Sequence, residues 1–160
     1  MKNAIRRQAF GPSHPDVADS LSALSSLQRA VKNYAEAESL ASQALAIAEA
    51  QLGQGHPLVA RILDNLAAIY FEQQEFAKAE PLYRRAVAIQ EETLGRDHPD
   101  LAASLSDYAI LLKKTHRKKQ GAQMETLARN ILSRNPPDRV AQLTIDVREM
   151  EPQPKGLLPR

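Results

Sequence analysis

The chain has no cysteine and no tryptophan among its 160 residues, and aromatic residues make up only 4% of it. Without cysteine there are no disulfides and no thiolate chemistry, as is usual in the cytoplasm. No run of about 18 apolar residues suggests a membrane span. No apolar segment follows the basic N-terminal residues, as a signal peptide would require. We therefore expect a cytoplasmic protein with no membrane partner, and the net charge of +2 is too small to indicate a partner class.

What the chain does have is a tandem repeat. The dipeptides His14-Pro15, His56-Pro57 and His98-Pro99 are spaced by 42 residues. Glycine, alanine and leucine recur in the same register, as Gly11, Gly53 and Gly95, as Ala18, Ala60 and Ala102, and as Leu21, Leu63 and Leu105. A period of about 20 to 50 residues indicates one supersecondary unit that is stacked several times. We therefore look for function on a stacked surface.

Each copy divides into two helical stretches. In the second copy, four apolar residues have the spacing of one helix face, namely Leu63, Leu66, Ala67 and Tyr70. Pro57 is acceptable at the first helical position, because the backbone N–H that proline lacks would have no partner within the helix there in any other residue either. A polar break at residues 73–75 precedes a second apolar stripe, and Gly95 ends that helix because glycine readily takes a left-handed conformation. Each copy is thus predicted to be a hairpin of two antiparallel helices.

The core positions of this hairpin resemble those of a tetratricopeptide repeat. That family alternates small and bulky packing residues, and the matching residues are Ala60, Leu63, Leu66, Ala67, Tyr70, Phe76, Ala79, Tyr83 and Ala86. The common repeat has about 34 residues. The 42-residue form with a Leu-Gly-x-x-His-Pro linker, as at residues 52–57 and 94–99, is similar to the repeats of kinesin light chains. The resemblance implies an all-α fold, a right-handed superhelical α-solenoid of tetratricopeptide helical hairpins.

The period also divides the chain. Repeats 1, 2 and 3 are assigned to residues 10–51, 52–93 and 94–135. In repeat 3, Lys118 and Lys119 replace residues such as Phe76 and Ala77, and a terminal repeat needs a polar outer face because nothing stacks on it. Repeat 3 is therefore predicted to be the C-terminal cap. We expect a short capping segment at residues 136–150, with a helix favoured over a strand, and a disordered tail at residues 151–160.

The N-terminal end has no comparable polar cap. Ala4 and Ile5 are in register with Ala46 and Ile47, so residues 1–9 correspond to the remnant of a preceding repeat's second helix. Either this remnant covers repeat 1, or the chain is the C-terminal part of a longer array. We favour the second hypothesis, because caps are polar and this segment is apolar. We also expect self-association through the uncapped N-terminal end.

Two sets of residues suggest chemistry, but we interpret both as structural. The three histidines of the His-Pro pairs belong to different repeats, and packed helices lie about 8–10 Å apart, too far for the zinc–ligand distances of about 2.0–2.2 Å. Each histidine is instead predicted to cap the first turn of its helix. The recurrent glutamates are interpreted as solvated, and no nucleophile motif such as G-x-S-x-G occurs. We expect no enzymatic activity, no cofactor, no metal and no small-molecule substrate.

The functional hypothesis that we favour is a binding groove. In tetratricopeptide arrays, the side of the first helix that faces away from its hairpin partner lines the concave surface, and a trough of small and polar residues suits an extended peptide or a helix. Phe71 and Arg61 are of the types that dominate interface energies, although Phe71 has the alternative of packing on the next repeat's first helix. The predicted groove residues are Ser22, Ser26, Arg29, Arg61, Asp64, Asn65, Ala68, Phe71, Ser106, Asp107, Ile110 and Lys113.

Three functions remain as hypotheses. We predict a non-enzymatic scaffold that binds a protein or peptide segment, with a regulatory or sensory arm of a larger enzyme or signalling protein as the alternative. A carboxylate clamp is disfavoured, because only Asn65 matches it and Asp107 stands in place of a second asparagine. An electrostatic nucleic-acid binder is the third hypothesis, and it is disfavoured because no aromatic residue is interleaved for base stacking. It would use a possible basic edge of Lys114, Arg117, Lys118 and Lys119.

Overall fold

The computed structural model describes residues 14–135, and all regular structure in that range is helical. Six helices form three hairpins, with α1 at Pro15–Ala30, α2 at Tyr34–Leu52, α3 at Pro57–Glu72, α4 at Phe76–Thr93, α5 at Pro99–Lys114 and α6 at Lys118–Arg134. None of these helices is long and apolar enough to cross a membrane. The predicted all-α solenoid of helical hairpins is confirmed. The predictions for residues 1–9, 136–150 and 151–160 lie outside the described residues.

Each hairpin begins with a histidine whose ring caps the first helix, as predicted. Nδ1 of His56 accepts a hydrogen bond from the backbone N–H of Leu58 at 3.1 Å, and Pro57 occupies the first turn. His14 and His98 accept the same bond from the second residue of their own helices at 3.2 Å. The bond satisfies one of the free N–H groups at a helix start. The recurrent His-Pro pair therefore marks where each hairpin begins.

Each hairpin turn contains one residue that has a left-handed backbone although it is not a glycine. Lys32, Gln74 and His116 lie one period apart and have φ values of 61°, 64° and 64°. In the second turn, the N–H of Glu75 bonds back to the carbonyl oxygen of Tyr70 at 2.8 Å, which closes the end of α3. The turn between helices is three residues long, so the two helices of a hairpin must run antiparallel.

Hairpins stack through their second helices. α2 packs on both α1 and α3, α4 packs on both α3 and α5, and the neighbouring first helices also contact one another. Ala37, Ala79 and Gly121 occupy the same register position in α2, α4 and α6, and all three are buried. A Cβ atom on Gly121 would lie 2.8 Å from the carbonyl oxygen of Ala109. Small residues at this position thus allow the two helices of each hairpin to approach closely.

The N-terminal face of the first hairpin exposes an apolar side chain that the other hairpins bury. Leu27 of α1 is 64% exposed, whereas Ile69 and Leu111, one and two periods later, are fully buried. Ile69 packs with alanines of α2, and Leu111 packs with Ala79 and Tyr83 of α4. Within residues 14–135, no helix precedes α1 to cover Leu27 in the same way. On the surface that receives a preceding second helix in the other hairpins, the described part of the chain thus has an exposed leucine.

Candidate binding groove

The first helices α1, α3 and α5 lie side by side and carry the predicted groove residues. Polar contacts join them at positions about one period apart. Arg61 of α3 forms an ion pair with Asp19 of α1 at 2.6 Å, and Arg29 of α1 forms one with Glu72 of α3. Such surface pairs contribute about 0–1 kcal/mol each, so they fix the spacing of the helices more than they stabilise the fold.

Asn65 makes a second connection between α1 and α3. Its side-chain nitrogen donates to the carbonyl oxygen of Ser22 and to Oγ of Ser25, both at 3.2 Å. The Ser25 hydroxyl in turn donates to the carbonyl oxygen of Ala37 at 2.7 Å. Asn65 and Ser22, two of the predicted groove residues, are thus engaged in holding repeats together, which leaves the surface of α5 as the part of the groove with more exposed side chains.

Asp64 lies deep between α3 and α5. Its Oδ2 accepts hydrogen bonds from Nε2 of Gln90 at 2.9 Å and from Oγ of Ser104 at 2.5 Å. Burial raises the pKa of Asp64 to about 7, the two hydrogen bonds oppose the increase, and the charges of Asp107 and Asp100 add to it. The carboxyl group is therefore near the midpoint of its titration at neutral pH.

Asp64 forms part of the floor of an open cleft of about 520 Å³ between α3, α4 and α5. Gln90 and Ser104 are the buried polar residues beside it, while Arg61, Asp100 and Asp107 are exposed at the rim. Partial desolvation at the rim also raises the pKa of Asp107, an effect that the nearby Arg29 opposes. The residues that line the cleft are His56, Pro57, Leu58, Arg61, Asp64, Gln90, Leu94, Asp100, Ala103, Ser104 and Asp107.

Sequence reasoning missed the two buried polar residues of this cleft, Gln90 and Ser104. Gln90 is in register with the fully buried Ala48, and Ser104 is in register with the fully buried Ile62. For Gln90 the available signal was a polar side chain at a position where the other copies have apolar ones. Ser104 gave a weaker signal, because repeat 1 also has a serine, Ser20, at its position. Because buried polar groups need hydrogen-bond partners, such a substitution predicts a local polar site.

The apolar groove candidates differ in exposure. Ile110 of α5 is 48% exposed and lies three residues after Asp107 on the same helix. Phe71 is partly buried, with its ring centroid 5.5 Å from that of Phe76, and it packs against a cluster that includes Leu111 of α5. Phe71 thus packs against a cluster that it shares with the next repeat's first helix, in line with its alternative role, and Ile110 is the more accessible anchor.

The remaining groove candidates are small. Ser26, Ala68 and Ser106 occupy positions on α1, α3 and α5 and are half-buried. The hydroxyls of Ser26 and Ser106 donate to carbonyl oxygens one turn earlier in their own helices, at 3.2 and 2.8 Å. With their hydrogens engaged in this way, these hydroxyls offer a ligand acceptors and little bulk.

The basic edge carries less free positive charge than its sequence suggests. Arg117 of this edge forms an ion pair with Glu80 at 2.6 Å, and the groove residue Lys113 beside the edge forms one with Glu125 at 2.6 Å. The hydrogen bond from Arg117 is the largest influence on Glu80, and it lowers the pKa of that carboxyl. The other side chains of this edge are exposed, namely those of Lys114, Lys118 and Lys119.

Comparisons with known proteins agree with this architecture. A family profile described as tetratricopeptide repeat matches residues 4–50 and 58–133. BtubC (BKLC) from P. vanneervenii has a similar crystal structure, with a TM-score of 0.73 and 19% identity over 98% of this chain and 58% of that one. A kinesin light chain-like protein from Podosopora anserina with nearly identical TPR-like repeats gives a TM-score of 0.65 and 25% identity over 84% of this chain and 64% of that one. A point variant of it gives 0.67 and 26%, over 83% and 63%.

These matches differ in what they support. No curated protein matches the sequence. The chain spans 58 to 64% of the length of the three similar structures, and at 19% identity the likeness to BtubC shows the fold alone. The family profile covers more than half of the chain. The chain therefore belongs to the tetratricopeptide repeat family, with repeats of the kinesin light chain-like type.

Proposed function

We propose that this protein is a non-enzymatic scaffold that binds a protein or peptide segment along the groove of α1, α3 and α5. Tetratricopeptide repeats generally mediate protein–protein interaction. The observation that carries the proposal for this chain is one accessible surface on α5, where the exposed Ile110 adjoins the cleft of about 520 Å³. An apolar anchor beside a polar cleft is the arrangement that peptide-binding grooves use for affinity and orientation.

The geometry of α5 supports an extended ligand. Ala103, Asp107 and Ile110 are spaced at i, i+4 and i+7, so they share one face of the helix. A segment that crosses α5 and α3 can place one side chain in the cleft and pack its neighbour on Ile110. The polar contacts between successive first helices hold this surface in a fixed shape before binding, which reduces the entropy lost on association.

Replacing Ile110 by Lys tests the groove directly. The ligands for this test are peptides selected against the whole chain from a random displayed library. The variant should bind them at least tenfold more weakly, a loss of about 1.4 kcal/mol in binding free energy. Lysine removes the apolar anchor from the centre of the surface and leaves the helix intact. Fluorescence anisotropy with the labelled peptides measures the dissociation constants, and circular dichroism checks that the helical signal is unchanged.

The matched control is Leu127→Lys on the outer face of α6, where the leucine is 42% exposed compared with 48% for Ile110. This variant should bind the selected peptides as the unaltered chain does. If Leu127→Lys loses binding while Ile110→Lys keeps it, the ligand occupies the capping repeat and the groove proposal is wrong.

As a second candidate function, the array is a regulatory or sensory arm of a larger enzyme or signalling protein, with the same groove as its contact surface. The observation that favours it is the exposure of Leu27, because the equivalent residues are buried beneath a preceding helix. A nucleic-acid role is disfavoured, since Arg117 of the basic edge is paired with a carboxylate, as is the adjacent groove residue Lys113. A cytoplasmic location stays a prediction.

The open face around Leu27 also supports the proposal that copies of the chain self-associate through their N-terminal ends. Replacing Leu27 by Lys should shift the protein toward the monomer, because a charge on this face opposes its burial against a second copy. Sedimentation velocity over a range of concentrations measures the shift. A clean monomer for the unaltered chain at the highest concentration would rule the proposal out.

A further inference from the structure

The cleft between α3 and α5 holds two buried acceptor oxygens that receive no hydrogen bond from any described residue. They are Oδ1 of Asp64 and Oε1 of Gln90. The Gln90 side chain is only 4% exposed and lines the cleft. The side-chain nitrogen of Gln90 donates to Oδ2 of Asp64, and its side-chain oxygen receives no hydrogen bond. A buried acceptor without a donor costs about 1–3 kcal/mol, so these oxygens favour any ligand that supplies donors.

The donors around the cleft make no hydrogen bond to these two oxygens. The hydroxyl of Ser104 donates to Oδ2 of Asp64 rather than to either free oxygen. Arg61, which lines the rim, is held by Asp19 at 2.6 Å. Arg29, whose charge acts on Asp107, is paired with Glu72. Neither guanidinium group makes a hydrogen bond to the two oxygens.

The charges around the cleft are predominantly negative. Asp64, Asp100 and Asp107 line it, and the one lining arginine is offset by its partner on α1. A group that enters the cleft must therefore bring hydrogen-bond donors and, preferably, positive charge. Ammonium and guanidinium groups meet both conditions, because they have several donors and no acceptor.

We propose that this cleft binds the basic side chain of a lysine or arginine in the partner segment, and that Asp64 and Gln90 accept its hydrogen bonds. The inference rests on the proposed function, because the cleft opens between α3 and α5, two of the helices that form the groove. The side chain is held at the floor by the two free oxygens, while Asp107 at the rim adds attraction. Within residues 14–135, no group of three or more histidine or carboxylate side chains is arranged to hold a metal ion.

The test uses N-acetyl-arginine amide, with N-acetyl-citrulline amide as its uncharged counterpart of nearly the same shape. Each compound is titrated into the ¹⁵N-labelled chain, at a pH about one unit above the pKa of Asp64 so that its carboxyl group is ionised. The arginine compound should shift the side-chain amide signals of Gln90 and the backbone signal of Ser104 along a saturable curve. The citrulline compound should bind at least tenfold more weakly.

Two variants and a matched control separate the cleft from general attraction. Asp64→Asn should weaken the binding of the arginine compound at least fivefold, and Asp107→Asn should weaken this binding by a smaller factor. Asp97→Asn, an exposed site outside the cleft, should leave the affinity unchanged. Equal binding of the two compounds, or arginine-induced shifts that avoid Gln90 and Ser104, would overturn the inference. If either result is found while Ile110→Lys still weakens the binding of the selected peptides, the groove function stands and only the cleft assignment fails.

Discussion

Truncating Leu111 to alanine should lower the free energy of unfolding by about 3 kcal/mol, whereas the same truncation at Leu27 should cost only about 0.5 kcal/mol. The two leucines are two periods apart in the repeat, and the chemical change is identical. Leu111 is fully buried against α4, and its loss leaves a cavity. Leu27 is 64% exposed, so its truncation removes little buried surface.

Urea denaturation followed by circular dichroism at a single protein concentration measures both changes. Equal losses at the two positions would mean that another part of the chain, or a second copy, covers Leu27 in solution. The claim that Leu27 is exposed to solvent would then be wrong. A small loss at Leu111 would contradict the stacking of the second hairpin on the third.

Replacing Gly121 by leucine should lower the free energy of unfolding by a similar amount, about 3 kcal/mol, because it overpacks the third hairpin. A Cβ atom at this position would lie 2.8 Å from the carbonyl oxygen of Ala109, which belongs to the backbone of α5 and cannot swing away. The first atom of any side chain must therefore push α6 off α5. Leucine is itself a good helix former, so a loss of stability reports packing and not propensity.

Gly55→Leu is the control, since a Cβ atom at Gly55 would have nothing within 4 Å. It should change the free energy of unfolding by no more than about 0.5 kcal/mol. Thermal and urea denaturation of the two variants compare the costs. A neutral Gly121→Leu substitution would show that α5 and α6 are not packed as closely as the structure has them.

Most of the fold could be predicted from the sequence, because each signal has a local physical cause. The 42-residue spacing of the His-Pro pairs predicts the copy number, and a ring nitrogen that caps a helix explains why a histidine stands there. The helix periodicity of Leu63 and its neighbours predicts the buried face of α3. Small residues in one register, such as Ala79 and Gly121, predict where helices approach each other.

The site could be predicted only in outline, because side-chain contacts depend on how the repeats stack. The wheel of one helix places Asn65 on the groove side, but only the position of α1 determines that it bonds to Ser22. In the same way, Phe71 is partly buried against a cluster that α4 and α5 help to form, which the sequence of α3 alone does not show. The left-handed residue of each turn, such as Gln74, carries no sequence mark, since its conformation is imposed by the closure of the hairpin.

The central claim is that a partner segment lies along α1, α3 and α5, and chemical-shift mapping of a selected peptide on the ¹⁵N-labelled chain tests it most directly. The account predicts that the largest shifts fall on the groove side of α3 and α5, around Asp64, Asp107 and Ile110, with α6 little changed. Shifts concentrated at the basic edge, on Lys114 and residues 117–119, would contradict it and would identify that edge as the binding surface.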